Sequence, residues 1–330
     1  MDSLWQILNG IDEQTWDMLG RYLGAGFALG FGGVGASVGM GMAAAQANEG
    51  IMRQPQQHGV MLRTMLIGQA VGSSPSIFAL VMGLLILFLV GTPGPVQAAA
   101  LIGAGLSIGL GCLGSGAGCG WPAGAACDGV ARNPHKGTGI ASAMVLGQAV
   151  AQSPSIFALV ISLILIFVPV GSAPIAAIAI ALGAGFAMGA SALGPGFGSG
   201  ATAGGAVRGV SHWPESQGIT MRSMLIGQAV SQTPAIFGLL VAFIMLFALP
   251  DLEPDLLGFA KVAGAGLAVG LGGIGPGIGC GLVGESACAA SAAAPAQDPV
   301  LLRTMLIGQA VSQSTAIYSL IIALLLLYVL

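Results

Sequence analysis

Residues 305–320 read Met305-Leu-Ile-Gly-Gln-Ala-Val-Ser-Gln-Ser-Thr-Ala-Ile-Tyr-Ser-Leu320, and the centre of this stretch is a repeat. Gly-Gln-Ala-Val begins at Gly68, Gly147, Gly227 and Gly308, at intervals of 79, 80 and 81 residues. An isoleucine–aromatic pair follows each time: Ile77-Phe78, Ile156-Phe157, Ile236-Phe237 and Ile317-Tyr318. An apolar run comes next, and a glycine-rich stretch with a polar connection precedes each motif. Self-similarity at a fixed period marks a repeated supersecondary unit, here helix, polar loop, helix. The chain divides into four hairpins at 1–92 (with an N-terminal interfacial segment), 93–171, 172–251 and 252–330.

Composition says what surrounds these helices. Only 6% of the 330 residues are charged, and 55% are apolar. A soluble domain carries about 25% charged residues, so this chain cannot cover a water-facing surface. The 56 glycines would each cost about 1 kcal/mol inside a helix in water, whereas between membrane helices they permit close backbone approach. Each expected span exceeds the ~20 residues that cross a bilayer. The expected fold is all-α, with eight transmembrane helices.

The two helices of a unit differ. The first helix of the fourth unit carries Gly273, Gly277 and Gly281 at spacing four, with Gly275 and Gly279 interleaved. That spacing places small residues on one face, the signature of a packing seam. Comparable series run from Gly24 to Gly41, Gly103 to Gly120 and Gly183 to Gly200. The second helices are rich in Leu, Ile and Phe. They suit lipid, and the first helices suit close neighbours.

Charge placement predicts orientation. Arg53, Arg63, Arg132, Lys136, Arg208, Arg222 and Arg303 lie at the loops within hairpins. The connections between hairpins hold Thr92-Pro93-Gly94-Pro95, Val168-Pro169-Val170-Gly171 and the acidic Asp251, Glu253 and Asp255, with Lys261 just beyond. The positive-inside rule puts the within-hairpin loops in the cytoplasm and both termini on the other side. Met1–Gly20 carries Asp2, Asp12, Glu13 and Asp17 without a basic residue, unlike a cleaved signal peptide. Trp5 and Trp16 suit a segment lying at the membrane interface.

Several chemistries are excluded. Gly103-Ala-Gly105 sits in an apolar helix with no strand before it, so it is no dinucleotide fingerprint, and no phosphate loop is present. No basic run points to nucleic acid. His58, His135 and His212 lie in loops, away from any nucleophile–base pairing. Cys112, Cys119 and Cys127, like Cys280 and Cys288, share helical faces and read as small packing residues rather than a metal or redox line. No cofactor or metal is expected. Trp121-Pro122 and the helix 2 prolines Pro75, Pro154 and Pro234 predict local bends.

The fourth unit, with Gly273-Ile-Gly-Pro-Gly-Ile-Gly-Cys-Gly281 on its first helix and the 305–320 stretch on its second, resembles the ring-forming c-subunit of F-type rotary ATP synthases, particularly the sodium-binding branch. The resemblance covers residues 18–330, four times over. It implies a closed c-ring of hairpins, first helices inside, that turns against the stator's a-subunit and drives a central stalk through its cytoplasmic loops. It implies as partners further copies of the chain, lipid and those rotary components.

The resemblance breaks at the ion carrier. The family's carboxylate falls where Ser73, Gln152, Gln232 and Gln313 stand. A carboxylic acid can alternate between a neutral form and an anion, which a glutamine or serine cannot do. The hydroxyl after it remains as Ser74, Ser153, Thr233 and Ser314, and the later aromatic remains, with its OH only in Tyr318. A helix 1 glutamine of the sodium branch is replaced by Met40, Cys119, Ser199 and Cys280. The stalk-facing turn survives as Arg53-Gln54-Pro55 and Arg132-Asn133-Pro134, and is altered to His212-Trp213-Pro214 and Ala293-Ala294-Pro295. Glu285 lies five residues beyond Cys280, about 7 to 8 Å further along helix 1, and is the candidate substitute carboxylate.

Three functions stay open at this point. The favoured one is a c-ring-like assembly that carries neither H+ nor Na+ at the helix 2 position. The alternatives are a working rotor with altered ion handling through Glu285, and a non-rotary pore or structural ring. An enzyme is not expected.

Overall fold

The structure, a computed structural model, describes residues 10, 12–88, 94–168, 174–249 and 256–329. Trp5, Asp2, the three hairpin boundaries and Asp251, Glu253 and Asp255 fall outside the described residues. Among those described, eight helical segments are long and apolar enough to cross a membrane: Glu13–Arg53, Pro55–Phe88, Pro95–Arg132, Pro134–Phe167, Ile175–His212, Pro214–Ala248, Leu256–Ala293 and Pro295–Tyr328. Taken in pairs, they are the four hairpins. The protein is an integral, multi-pass, all-α membrane protein.

Every hairpin turns the same way. The residue before each loop proline takes one backbone conformation: Gln54 (φ −137°, ψ 77°), Asn133 (−130°, 71°), Trp213 (−129°, 75°) and Ala294 (−133°, 72°). A single 3₁₀ turn follows, opened by Pro55, Pro134, Pro214 or Pro295. Proline supplies the fixed φ and lacks an N–H the turn would leave unpaired. His212-Trp213 and Ala293-Ala294 therefore change the loop's side chains and leave its backbone path intact.

The first helices form the core layer. Each packs most extensively on the first helix of a neighbouring hairpin, and the second helices cover one side of this row. Hairpins 1 and 4 stand at its ends. Glycine pairs set the spacing at each junction: a Cβ on Gly105, Gly120, Gly185, Gly200, Gly266 or Gly281 would meet the backbone of Gly24, Gly39, Gly103, Gly118, Gly183 or Gly198 of the preceding hairpin, respectively. A Cβ on Gly105 or Gly281 would overlap the partner glycine's backbone, so only glycine allows this approach. Of the series marked in the fourth hairpin, Gly273, Gly277 and Gly281 face hairpin 3, Gly279 faces Ser312 of its own hairpin, and Gly275 faces open space.

Proline placement decides which second helices break. In hairpins 1–3 the helix is interrupted at Ser73, Gln152 and Gln232, two residues before Pro75, Pro154 and Pro234. With Thr315 at the corresponding place, hairpin 4 has one continuous helix, Asp298–Tyr328. On the first helices, the break near Trp121-Pro122 falls at Cys119, whereas Pro195 lies inside an unbroken helix.

Candidate functional site

An α-helical N–H bonds the carbonyl four residues earlier. Pro75, Pro154 and Pro234 have no N–H, so the carbonyls of Val71, Val150 and Val230 lose that donor. Each of these three carbonyls receives a side-chain amide from the next hairpin. Gln152 Nε2 donates to Val71 O at 2.9 Å, Gln232 Nε2 to Val150 O at 2.8 Å and Gln313 Nε2 to Val230 O at 2.7 Å. The glutamines are buried, at 7 to 8% exposure. Inside a bilayer an unpaired carbonyl costs several kcal/mol, so proline and glutamine form a matched pair across each junction. We refer to this pair as the clamp.

A second row of amides lies one turn away. Gln148 Nε2 donates to Gly68 O of the preceding hairpin at 2.8 Å and to Cys119 O of its own first helix at 3.0 Å. Gln228 bonds Gly147 O and Ser199 O at 2.9 and 3.0 Å, and Gln309 bonds Gly227 O and Cys280 O, both at 3.0 Å. Among the described residues Gln69 bonds only within its hairpin, to Met40 O at 3.1 Å. Sequence reasoning assigns these four glutamines no role. The signal that could have found them is the motif itself, which keeps a polar side chain in an apolar helix four times.

The remaining marked positions fall around these rows. Met40, Cys119, Ser199 and Cys280 each present their backbone carbonyl to the motif glutamine. Ser199 Oγ also lies 3.1 Å from Ser231 Oγ, and Cys280 Sγ approaches Gln309 O at 3.4 Å. The hydroxyls of Ser73, Thr233 and Ser314 donate to their own helix, to Ala70 O, Val230 O and Val311 O at 2.9, 2.9 and 2.7 Å. Ser74 and Ser153 follow the interruptions as the first residues of the resumed helices. Tyr318 points outward and is 62% exposed, while Phe78, Phe157 and Phe237 pack against the core.

Glu285 lies on the other layer. It forms an ion pair with Arg208 on the first helix of hairpin 3. Other junction ion pairs lie toward the loops: Arg53 with Asp128 at 2.6 Å, and Arg222 with the buried Asp298, which also accepts from Ser223 Oγ at 3.2 Å. Among the described residues no group of three His, Cys, Asp or Glu side chains could hold a metal ion.

The repeat, the hairpin geometry and the glycine-paired helices now stand beside known proteins. The family of the ATP synthase C subunit matches this chain four times, at residues 23–86, 102–165, 182–245 and 263–326. The chain belongs to that family. Similar relatives are the ATP synthase c-subunit of Mesomycoplasma hyopneumoniae, 47% identical over 73 residues, and that of Petrotoga mobilis, 49% identical over 70. The c-subunit of Thermotoga petrophila is 44% identical over 81 residues. These alignments take in 22%, 21% and 24% of this chain and 71%, 73% and 95% of the respective relatives. One relative thus corresponds to one hairpin, and the c-subunit fold is repeated four times within a single chain. Family members are non-catalytic membrane subunits.

Proposed function

We propose that this chain builds a c-ring in which the helix 2 ion site is replaced by the proline–glutamine clamp, so that the ring carries neither H+ nor Na+ there. The observation that carries this reading is the direction of the bonds from Gln152, Gln232 and Gln313. At each junction an N–H occupies the carbonyl oxygen that proline leaves free, so that oxygen is not available to a cation. An amide also has no titration near neutral pH, so it cannot load and release a proton. The junction is held shut by a permanent neutral contact. Glu285, engaged by Arg208, serves the contact between hairpins 3 and 4 and replaces no carrier.

The ring sits in the membrane with its within-hairpin loops in the cytoplasm, following the seven basic residues at that end. The shared backbone of the four loops supports docking of a central stalk, with Arg53-Gln54-Pro55 and Arg132-Asn133-Pro134 supplying the polar contacts. The stator's a-subunit is the other expected neighbour. Without an ionisable group, the second helices give it no charge to exchange.

Carbodiimide chemistry tests the reading, because it modifies a protonated carboxyl in an apolar site and leaves amides alone. Peptide mass mapping should find no adduct on the second helices of the wild type. Gln152→Glu should gain one that sodium suppresses. Proton- or sodium-driven flux through reconstituted wild-type rings, abolished by carbodiimide, would defeat the proposal.

A further inference from the structure

The repeat is broken in two places along helix 2, and the two breaks are complementary. Hairpin 1 alone has serine where the others have the clamp glutamine, and hairpin 4 alone has threonine where the others have proline. Each of the three clamps joins the glutamine of one hairpin to the carbonyl freed in the preceding one. Among the described residues Ser73 has no preceding hairpin to face, and the Val311 carbonyl has no following one. In the continuous helix Thr315 supplies the N–H that Val311 O needs, and Ser314 Oγ adds a second donor at 2.7 Å. The missing amide and the missing need for it therefore belong to one junction.

The end faces agree. Extending the glycine pairs by one repeat sets Gly264 against Gly26 and Gly279 against Gly41. On hairpin 1, a Cβ added to Gly26, Gly30 or Gly41 would meet nothing within 4 Å among the described residues, and the same holds for Gly275 on hairpin 4; Gly264 and Gly279 meet only side-chain atoms of their own hairpin, those of Leu326 and Ser312. Gln69, whose sister glutamines each bond a glycine carbonyl across a junction, lacks that bond, and the corresponding carbonyl is that of Gly308.

We propose that hairpin 4 of one copy docks on hairpin 1 of the next in the register of the internal junctions. The two glycine pairs are completed and Gln69 donates to Gly308 O of the neighbouring copy. This seam is the one kind of junction in the ring without a clamp, and its Ser73–Thr315 pairing replaces the glutamine–proline pairing elsewhere. The inference rests on the ring reading above and adds which faces meet and what differs there.

Glu49→Cys and Ala293→Cys occupy the repeat positions of Asp128 and Arg53, whose side chains meet at 2.6 Å across the first internal junction. The five native cysteines are buried. A short bis-maleimide should join the double variant into chains of two, three and more copies, and should leave the single variants unjoined. A purified particle with the mass of one chain would defeat the ring reading. A multi-copy particle that fails to cross-link, or links only within a chain, would overturn the seam alone. The exchange of pairs gives an independent readout. Thr315→Pro should lower the temperature at which rings fall apart in dodecyl sulfate, and adding Ser73→Gln, from the far end of the chain, should restore it. Failure of Ser73→Gln to rescue would overturn the proposal even if Thr315→Pro is destabilising by itself.

Discussion

Replacing Gln152 by leucine removes a single hydrogen bond, yet it should cost more than the bond's ordinary worth. The acceptor, Val71 O, has lost its helical donor to Pro75, and the Ser73 N–H, shared between Gln69 O at 2.9 Å and Val71 O, gives it only a secondary contact. A typical intramolecular bond contributes about 0.5–1.5 kcal/mol, whereas a buried acceptor left unpaired costs about 1–3 kcal/mol. Membrane-embedded side-chain bonds average about 0.6 kcal/mol because partners are found elsewhere, but a carbonyl fixed in a helix has no such freedom. The expected loss for Gln152→Leu is therefore about 2 kcal/mol. Pro75→Thr restores the N–H, so in that background the same change should cost below about 1 kcal/mol. The assay is a double-mutant cycle on detergent-solubilised protein, following reversible unfolding in dodecyl sulfate by circular dichroism. A coupling of at least about 1 kcal/mol is expected, well above the ~0.5 kcal/mol at which distant sites add. An additive cycle would refute the idea that proline and glutamine act as a pair. Gln313→Leu supplies an internal scale: Val230 O also accepts from Thr233 Oγ1 at 2.9 Å, so its loss should be the smaller.

Two further measurements probe the surrounding contacts. Gln148 bonds one carbonyl inside a helix, that of Gly68, and one at a helix interruption, that of Cys119, so Gln148→Leu should cost about 1–3 kcal/mol for its two bonds, and Gln69→Leu about half that in the isolated chain; equal losses in the same unfolding assay would contradict this. Gly198→Ala would drive a methyl into the Gly277 carbonyl and should destabilise by about 1–3 kcal/mol as overpacking, while Gly26→Ala should leave the isolated chain unchanged and weaken only the assembled ring; comparing thermal denaturation of single chains with ring dissociation separates the two.

The hairpin count, the helix pairing and the interruption of the second helices are legible from residues alone. A repeat interval near 80 residues fixes the unit, glycine at spacing four marks the packing face, and proline interrupts the second helices of hairpins 1–3. The clamp is not legible, because it depends on register between hairpins. Gln152 and Val71 stand 81 residues apart, and no local pattern says that the amide of one reaches the carbonyl of the other. The role of Gln69, Gln148, Gln228 and Gln309 is hidden for the same reason. The loop sequences mislead in the opposite direction. Loss of arginine from His212-Trp213-Pro214 and Ala293-Ala294-Pro295 suggests a decayed turn, but the turn is made by the proline and the backbone before it, which all four loops keep. Glu285 stands out as a carboxylate within a span, and its engagement with Arg208 on the neighbouring helix is a relation that only the packed structure reveals.

On the proposed reading, the clamp also explains how a c-ring hairpin can do without a helix 2 carboxylate and keep its fold. A carboxylate at mid-bilayer is tolerated only while it is neutralised, so removing it relieves a cost and leaves a packing problem. Leucine would fill the space but strand the carbonyl freed by the proline of the preceding hairpin. Glutamine fills the space, stays neutral and supplies the donor. Where the proline is absent, as before the seam, no donor is required and serine suffices. The choice of residue at 73, 152, 232 and 313 thus follows the presence or absence of proline one hairpin earlier. Pro154→Thr should therefore make Gln232 expendable and Thr315→Pro should make Ser73 inadequate, the two changes shifting the need for an amide from an internal junction to the seam.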